Sequence, residues 1–379
     1  MSAEQRDLVP DEKTLNAIFQ CVDVEPKVIS STFETCTFSI HTQTPLLPGH
    51  PTDLLVRLET SGHHLHQVAA LQSLARVQLP DLVPLVVSHG TTKMGGGMEV
   101  DYMVSEYVTG TTTLEAVWDT LGSIDQERLM DLVVRAVKRL QTRVRNIQEV
   151  GTQPDNAKVG GPKLGYFQDM EQFLDGKLQS SDSDPFHCRL LNVDGGILLE
   201  SDFQDIGQVE LTRADLDELK HHTVFCHNDL EPRNILVRPS TNSKGLSYDL
   251  AAIVDWEMAG FYPFAFEYGL KDNILGSSNL LFSWYSLFKE RTAHLLPPNE
   301  CHTKLVRALW VIDQSQKRDK TRNVGVRFQQ MWIERLELQR SSHIRQGWVR
   351  KDGAETPVIF TKEDQEKLEL EVLKELGYY

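Results

Sequence analysis

The residues in this chain best suited to chemistry lie in Val224 to Val237, VFCHNDLEPRNILV, and in Ala251 to Glu257, AAIVDWE. In the first stretch a short apolar run drops into a polar loop carrying His227, Asp229 and Asn234, then closes on Ile235, Leu236 and Val237. That pattern predicts strand, loop, strand. The second stretch is an apolar run that stops at Asp255, so its carboxylate is expected at a strand end and not along a solvated face. An Asp and an Asn five residues apart, followed by a second Asp at a strand terminus, meet the needs of phosphoryl transfer from a nucleotide. One carboxylate orients the attacking hydroxyl, while an amide oxygen and a second carboxylate hold magnesium against the phosphates.

At these residues the chain resembles the kinase-like superfamily, and within it the aminoglycoside phosphotransferase and choline kinase branch. That branch carries H-G-D-x-x-x-x-N followed by I-D-W-[DE]; here the pair reads HNDLEPRN and VDWE. The resemblance implies an α+β, bilobal protein-kinase-like fold with a small β-rich N-lobe (residues 1–108) and a larger, mostly helical C-lobe (residues 109–379). It implies Asp229 as catalytic base, Asn234 and Asp255 as Mg2+ ligands, and ATP as phosphoryl donor. Asn228 stands where the branch has glycine, a tolerable exchange because Asn is at ease at positive φ. Arg233 is expected to steady phosphate oxygens. His227, flanked by apolar strands, is expected to organise backbone and not to carry protons. The D-W-E motif and the lack of an A-P-E segment set the chain apart from protein kinases.

Composition fits this reading. A chain of 379 residues exceeds what one hydrophobic core usually serves. Fifty-four acids against 39 bases give a net charge of −15, which argues against non-specific binding to nucleic acid or anionic membrane. The five cysteines have no metal-ligand spacing and read as reduced thiols. The polar N-terminus resembles no targeting peptide, and no apolar run is long enough to span a bilayer, so a cytoplasmic location is expected.

The elements that must position these residues can be read in order. Residues 11–19 have helical spacing, and Val28 to Ile40 form a hairpin pattern without glycine. Kinase-like enzymes place a glycine-rich turn there so that backbone amides approach phosphates. In this chain Ser30, Ser31 and Thr32 are the available substitutes. The strand Leu54 to Leu58 puts Arg57 where the family has its phosphate-binding cation. The next helix, Leu65 to Val77, has Gln67 where the family commonly has the partner Glu, so the ion pair is expected to be absent or rebuilt. Glu59, on the same strand face as Arg57, is the candidate substitute.

Two further strands, Leu82 to His89 and Val100 to Tyr107, are joined by Gly95, Gly96 and Gly97, a surface turn that opens no helix. The second strand resembles the family's hinge. The resemblance places the adenine edge against backbone groups of Glu106, Tyr107 and Val108, with Gly110 turning the chain into the next lobe. Asp125 to Ile147 carries a long apolar stripe, Gly151 to Gly165 reads as a loop, Tyr166 to Leu178 is helical, and Ser180 to Asp184 is a polar turn. Residues 190–217 show no clear pattern, whereas Leu211 to His222 reads as a helix with a Thr cap.

After Asp255, the aromatics and acids Trp256, Glu257, Tyr262, Phe266, Glu267 and Tyr268 are candidates for a substrate pocket. Glu257, Glu267 and Tyr262 in particular suit a cationic amine or sugar. For any one of the aromatics, core packing is the stronger expectation, and Trp284, Tyr285, Trp310 and Trp332 are assigned to packing. The C-terminal portion from Val326 resembles fungal aminoglycoside-phosphotransferase-like proteins. Two functions follow: transfer of the γ-phosphoryl group of ATP to a hydroxyl of a small molecule, or, because of the glycine-free hairpin and Gln67, a catalytically weakened nucleotide- or ligand-binding module.

Overall fold

Alternating burial along Thr35–His41 (β2) and Asp53–Thr60 (β3) organises the first lobe. The two strands pair antiparallel, with Thr37 opposite Arg57. Lys27–Ser31 (β1), Val86–Lys93 (β4) and Glu99–Glu106 (β5) complete a five-stranded sheet of order β1-β2-β3-β5-β4. One face buries Leu54, Val56 and Leu58 with Phe38, Ile40, Val100 and Val104 against Phe19 of helix α1, Glu12–Phe19. Alternation turns Leu55 and Arg57 to the other face, toward the second lobe. Helix α2, His64–Gln78, packs Leu65, Val68, Ala69 and Leu71 into the larger core that runs through the second lobe. β5 ends at Glu106, and apolar packing from α2 continues into the second lobe. The computed structural model describes residues 7–20, 24–60, 62, 64–143, 158–179, 187–242, 245–318, 320–354 and 359–378.

Gly110, at φ +67°, turns the chain into the second lobe. Thr112–Thr113 (β6) leads into Leu114–Val117 (α3) and then Ser123–Arg143 (α4). The stripe expected on α4 is present: Leu129, Val133, Ala136, Val137 and Leu140 are buried. Val144, Ile147, much of the 151–165 loop, the 180–184 turn and Cys21 lie outside the described residues. Val159–Gly161 (β7) and Gly165–Phe167 (β8) precede Met170–Gln179 (α5), a helix that starts later than its spacing predicts. The stretch without a legible pattern forms an antiparallel sheet of Cys188–Val193 (β9), Gly196–Ser201 (β10) and Gln208–Thr212 (β11). Arg213–His221 (α6) begins with a reciprocal capping box between Thr212 and Asp215.

Four strands then frame the motif residues: Thr223–Cys226 (β12), Ile235–Asn242 (β13), Gly245–Ile253 (β14) and Gly260–Pro263 (β15). β12 pairs with β15, and β13 lies between β14 and β6. Helices Phe264–Ile274 (α7), Phe282–Thr292 (α8), Glu300–Arg318 (α9) and Val324–Arg335 (α10) follow. The hairpin Leu338–Arg340 (β16) and Trp348–Arg350 (β17) and helix Lys362–Glu375 (α11) close the chain. Trp284, Tyr285 and Trp332 are core residues, and Trp310 meets Trp348 edge-on at 5.6 Å. Cys36, Cys188, Cys226 and Cys301 are free and buried. Among the described residues no helix is long and apolar enough to cross a membrane.

Candidate active site

The strand-loop-strand predicted for residues 224–237 is formed by β12 and β13, with a short 3-10 turn at Pro232–Asn234 between them. Asn228 occupies the left-handed region at φ +62°, the conformation its type tolerates. Its side-chain amide donates to the Met258 carbonyl at 2.9 Å. The next residue, Asp229, is held on both oxygens by one Arg233 nitrogen, at 2.6 and 2.8 Å. The Asn234 amide donates to Asp229 Oδ2 at 2.7 Å and to the Asp229 carbonyl at 2.8 Å. Both of those bonds use Asn234 Nδ2, so Oδ1 is the atom left to accept a cation. Arg233 is further tied to the Ser278 carbonyl at 2.6 Å.

His227 is buried and fixed as a neutral ring. Nε2 lies 3.0 Å from the Val254 carbonyl and Nδ1 lies 3.3 Å from the Asp229 N–H. A carbonyl requires a donor and an N–H requires an acceptor, so Nε2 carries the single proton. Burial pushes the ring down to about 4, against the pull of Asp229 and with help from Lys271. His227 therefore ties the loop to the strand that leads to Asp255.

Two residues beyond that strand, Asp255 adopts the left-handed conformation, φ 64° and ψ 69°, an uncommon state for a non-glycine residue, and lines the cleft. Burial first, and the neighbouring Glu257 carboxylate second, push its carboxyl up to about 6. Arg57 answers this excess of negative charge: it bonds Glu257 at 2.5 Å and Glu59 at 2.6 Å and lies 3.8 Å from Asp255. Burial opposes its charge, but Glu59 and Glu257 outweigh burial and hold the guanidinium above its usual range. The ion pair left open by Gln67 is thus rebuilt from Glu59, as its strand face predicts, and from Glu257 across the cleft.

A cavity of about 330 Å3 between the lobes is lined by Arg57, Glu106, Tyr107, Val108, Asn234 and Asp255, with Leu55, Val68, Met103, Leu236, Val254 and Trp256 supplying much of its apolar surface. The Tyr107 N–H donates to the Asp53 carbonyl at 2.9 Å and is taken up by the sheet. On the opposite edge the Glu106 N–H donates to the Leu85 carbonyl at 2.8 Å, and just past the end of β5 the Val108 carbonyl accepts from the Thr111 hydroxyl at 2.8 Å. The Glu106 side chain accepts from the Leu85 N–H at 3.1 Å and fixes the hinge to the segment before β4.

Several expectations are revised. The Ser31 hydroxyl donates to the Leu8 carbonyl at 2.6 Å, tying the hairpin to the segment before α1, and the Thr32 hydroxyl accepts from the Thr35 N–H at 3.0 Å within the hairpin turn. Glu257, expected beside the acceptor, stands against Arg57. Tyr262 and Glu267, expected on the same wall, are buried in the core. β15 is covered on both faces, and Tyr262 stacks on Phe266 at 4.7 Å. Glu267 accepts from the His227 N–H at 3.1 Å, and burial raises its carboxyl.

Other site residues were not singled out by sequence. Gln72 lines the cavity and donates to the Pro84 carbonyl at 2.9 Å. Its signal was a polar residue one turn after Val68 on the apolar stripe of α2. Lys271 and Glu231 form a buried ion pair at 2.5 Å under the loop that carries Asp229; a lysine and a glutamate 40 residues apart give no local signal.

Chemically, the cleft offers hard oxygen donors from an amide and a carboxylate, and the crowding of Asp255 by Glu257, which Arg57 offsets only in part, suits a divalent cation such as Mg2+. Residues 46–271 match the family model described as the phosphotransferase enzyme family. Comparison with curated proteins gives no match. Among solved structures the chain is similar to a candidate aminoglycoside phosphotransferase of Ralstonia eutropha JMP134, with 12% identity, 98% of this chain and 99% of that chain covered, and a TM-score of 0.46. It is also similar to APH(2")-IIa in a streptomycin–ATP ternary complex, with 10% identity, coverage of 86% and 93%, and a TM-score of 0.44. A third is the AMP-bound complex of the spectinomycin phosphotransferase APH(9)-Ia, with 8% identity, coverage of 86% and 95%, and a TM-score of 0.42.

Proposed function

The chain belongs to the phosphotransferase enzyme family, and on that premise we propose that it transfers the γ-phosphoryl group of ATP to a hydroxyl of a small molecule. One observation carries this reading: the residues expected from sequence to hold nucleotide and metal, Arg57, Glu106 to Val108, Asn234 and Asp255, all line one interlobe cavity. The adenine edge would meet the Glu106 carbonyl and the Val108 N–H, with Leu55 and Leu236 against the ring faces. Arg57 would exchange its bond to Glu257 for a phosphate oxygen, a trade between two charge-assisted partners. Asn234 Oδ1 and Asp255 would hold Mg2+, which when bound neutralises charge on the phosphates. Asp229 takes the acceptor's hydroxyl proton, and for that one of its oxygens must give up its Arg233 bond to the incoming hydroxyl. Arg233, once released, is within the same loop and able to turn its charge to the transferred group.

The test is calorimetric titration of ATP with magnesium into the wild type and Asp255→Ala, followed by turnover with hydroxyl acceptors in Asp229→Ala. Magnesium-dependent binding is expected in the wild type and Asp229→Ala but not in Asp255→Ala. Turnover should fall by about a thousandfold or more without the base and its orienting role. Full turnover in folded Asp229→Ala overturns the assignment. A second reading, a nucleotide- or ligand-binding module with little activity, is favoured by the internal use of the Ser31 and Thr32 hydroxyls. Magnesium-dependent binding without turnover on any of a panel of amino alcohols, sugars and aminoglycosides would select it.

A further inference from the structure

Helix α7 carries a lysine where a core residue is expected. Lys271 is 1% exposed and its partner Glu231 is fully buried. The ammonium donates to Glu231 Oε1 at 2.5 Å and to the Leu230 carbonyl at 2.9 Å, and the Trp284 and Phe288 rings lie 5.7 and 5.1 Å away. An enclosed ion pair of this kind is a poor source of net stability, because the cost of desolvating both charges consumes most of their attraction. Its place in the chain suggests a different role.

Leu230 and Glu231 are the two residues directly after Asp229. The Glu231 N–H donates to the Asp229 carbonyl at 2.9 Å, and the Glu231 carbonyl accepts from the Asn234 N–H at 2.9 Å. Glu231 therefore joins the candidate base to the candidate metal ligand through its own backbone, and Lys271 grips it by carboxylate and by the preceding carbonyl. One turn earlier on α7, Glu267 accepts from the His227 N–H on the other side of Asp229. The catalytic loop is thus anchored from below at both ends of its first turn.

We infer that Lys271 and Glu231 are positioning residues that fix the separation of Asp229 and Asn234. The inference rests on the phosphotransfer reading of those two residues, so its test includes a measurement independent of turnover. In Lys271→Met/Glu231→Leu both charges are removed together and the pocket stays apolar, which preserves folding better than leaving one charge alone. Exchange of the Glu231 and Asn234 amide hydrogens is expected to speed by about tenfold in this variant. Magnesium-dependent ATP hydrolysis should lose about 100-fold in kcat, the scale of a misplaced catalytic group, with KM for ATP little changed.

Glu231→Gln keeps an acceptor oxygen for Lys271 and should recover most of both losses; it also serves if the double variant does not fold. Unaltered exchange and unaltered kcat in a folded double variant overturn the inference. Faster exchange in the variants of a wild type that neither hydrolyses ATP nor turns over any of the hydroxyl acceptors would support the anchoring and overturn the phosphotransfer reading.

Discussion

At Asp255, burial and the Glu257 carboxylate push the carboxyl from its ordinary 3.8 up to about 6. A carboxyl whose pKa is higher in the folded state costs stability once it ionises. The cost is absent below 3.8 and complete above about 6. Asp255→Asn should therefore raise stability at pH 8, by about 1 kcal/mol once screening of this partly exposed side chain is allowed for. The same change should remove magnesium-dependent nucleotide binding. Thermal denaturation and titration of one preparation check both; a variant that is less stable and still binds would refute the crowding of charge at this residue. Because a metal competes with the proton, magnesium-dependent ATP binding by the wild type should weaken as pH falls below about 6, approaching tenfold per unit. Titrations at two pH values on either side of 6 would show it, and a flat response would mean that a different group holds the metal.

Among the elements, α7 links the site to the C-terminal hairpin. Next to Lys271 on that helix, Asp272 accepts from the Tyr285 hydroxyl at 2.6 Å and is ion-paired with Lys289 at 2.9 Å and with Arg340 of β16 at 2.9 Å. Burial pushes Lys289 down to about 8, which Asp272 limits. Trp348 of β17 adds two bonds at 2.8 Å, from its N–H to the Tyr285 hydroxyl and from its indole to the Asp272 carbonyl. Gly347 makes this docking possible: its φ is +71°, and a Cβ there would run into Tyr285 Oη and Asp272 Oδ1. Gly347→Ala should cost about 1–3 kcal/mol through overpacking and backbone strain. Denaturant melting measures this; an unchanged midpoint would show that the hairpin can lift away from α7 at no cost.

Across the whole molecule, the cavity is walled by both lobes: β2, β3, α2 and β5 on one side, and Asn234, the start of β13 and the residues just after β14 on the other. The Ile253 N–H donates to the Leu82 carbonyl at 2.7 Å, so the end of β14 and the segment before β4 are bonded directly. A ligand that bridges these walls binds the folded state alone. At a free concentration one hundred times its Kd, ATP with magnesium should add about 2.7 kcal/mol of stability. The effect should appear as a rise in melting temperature in the wild type and be lost in Asp255→Asn. No rise at saturating ligand would place nucleotide binding outside this cleft.

What the sequence determined by itself is local. The order of strand, polar loop and strand around His227, Asp229 and Asn234 follows from apolar runs a few residues long, and the positive φ at Asn228 from the type of that one residue. The shared face of Arg57 and Glu59 follows from the two-residue period of a strand. The sheet of β9 to β11 escaped this reading because Leu190 and Leu191, and Ile197 to Leu199, follow one another without polar alternation, and β9 is largely exposed.

The tertiary structure alone decided which distant groups meet. Glu257 reaches Arg57 across 200 residues of chain, Lys271 meets Glu231 beneath the loop, and Tyr262 and Glu267 turn into the core because β15 is covered on both faces. Spacing along the chain fixes which side chains share a face. The packing of whole strands and helices fixes what that face meets, and no short-range period encodes it.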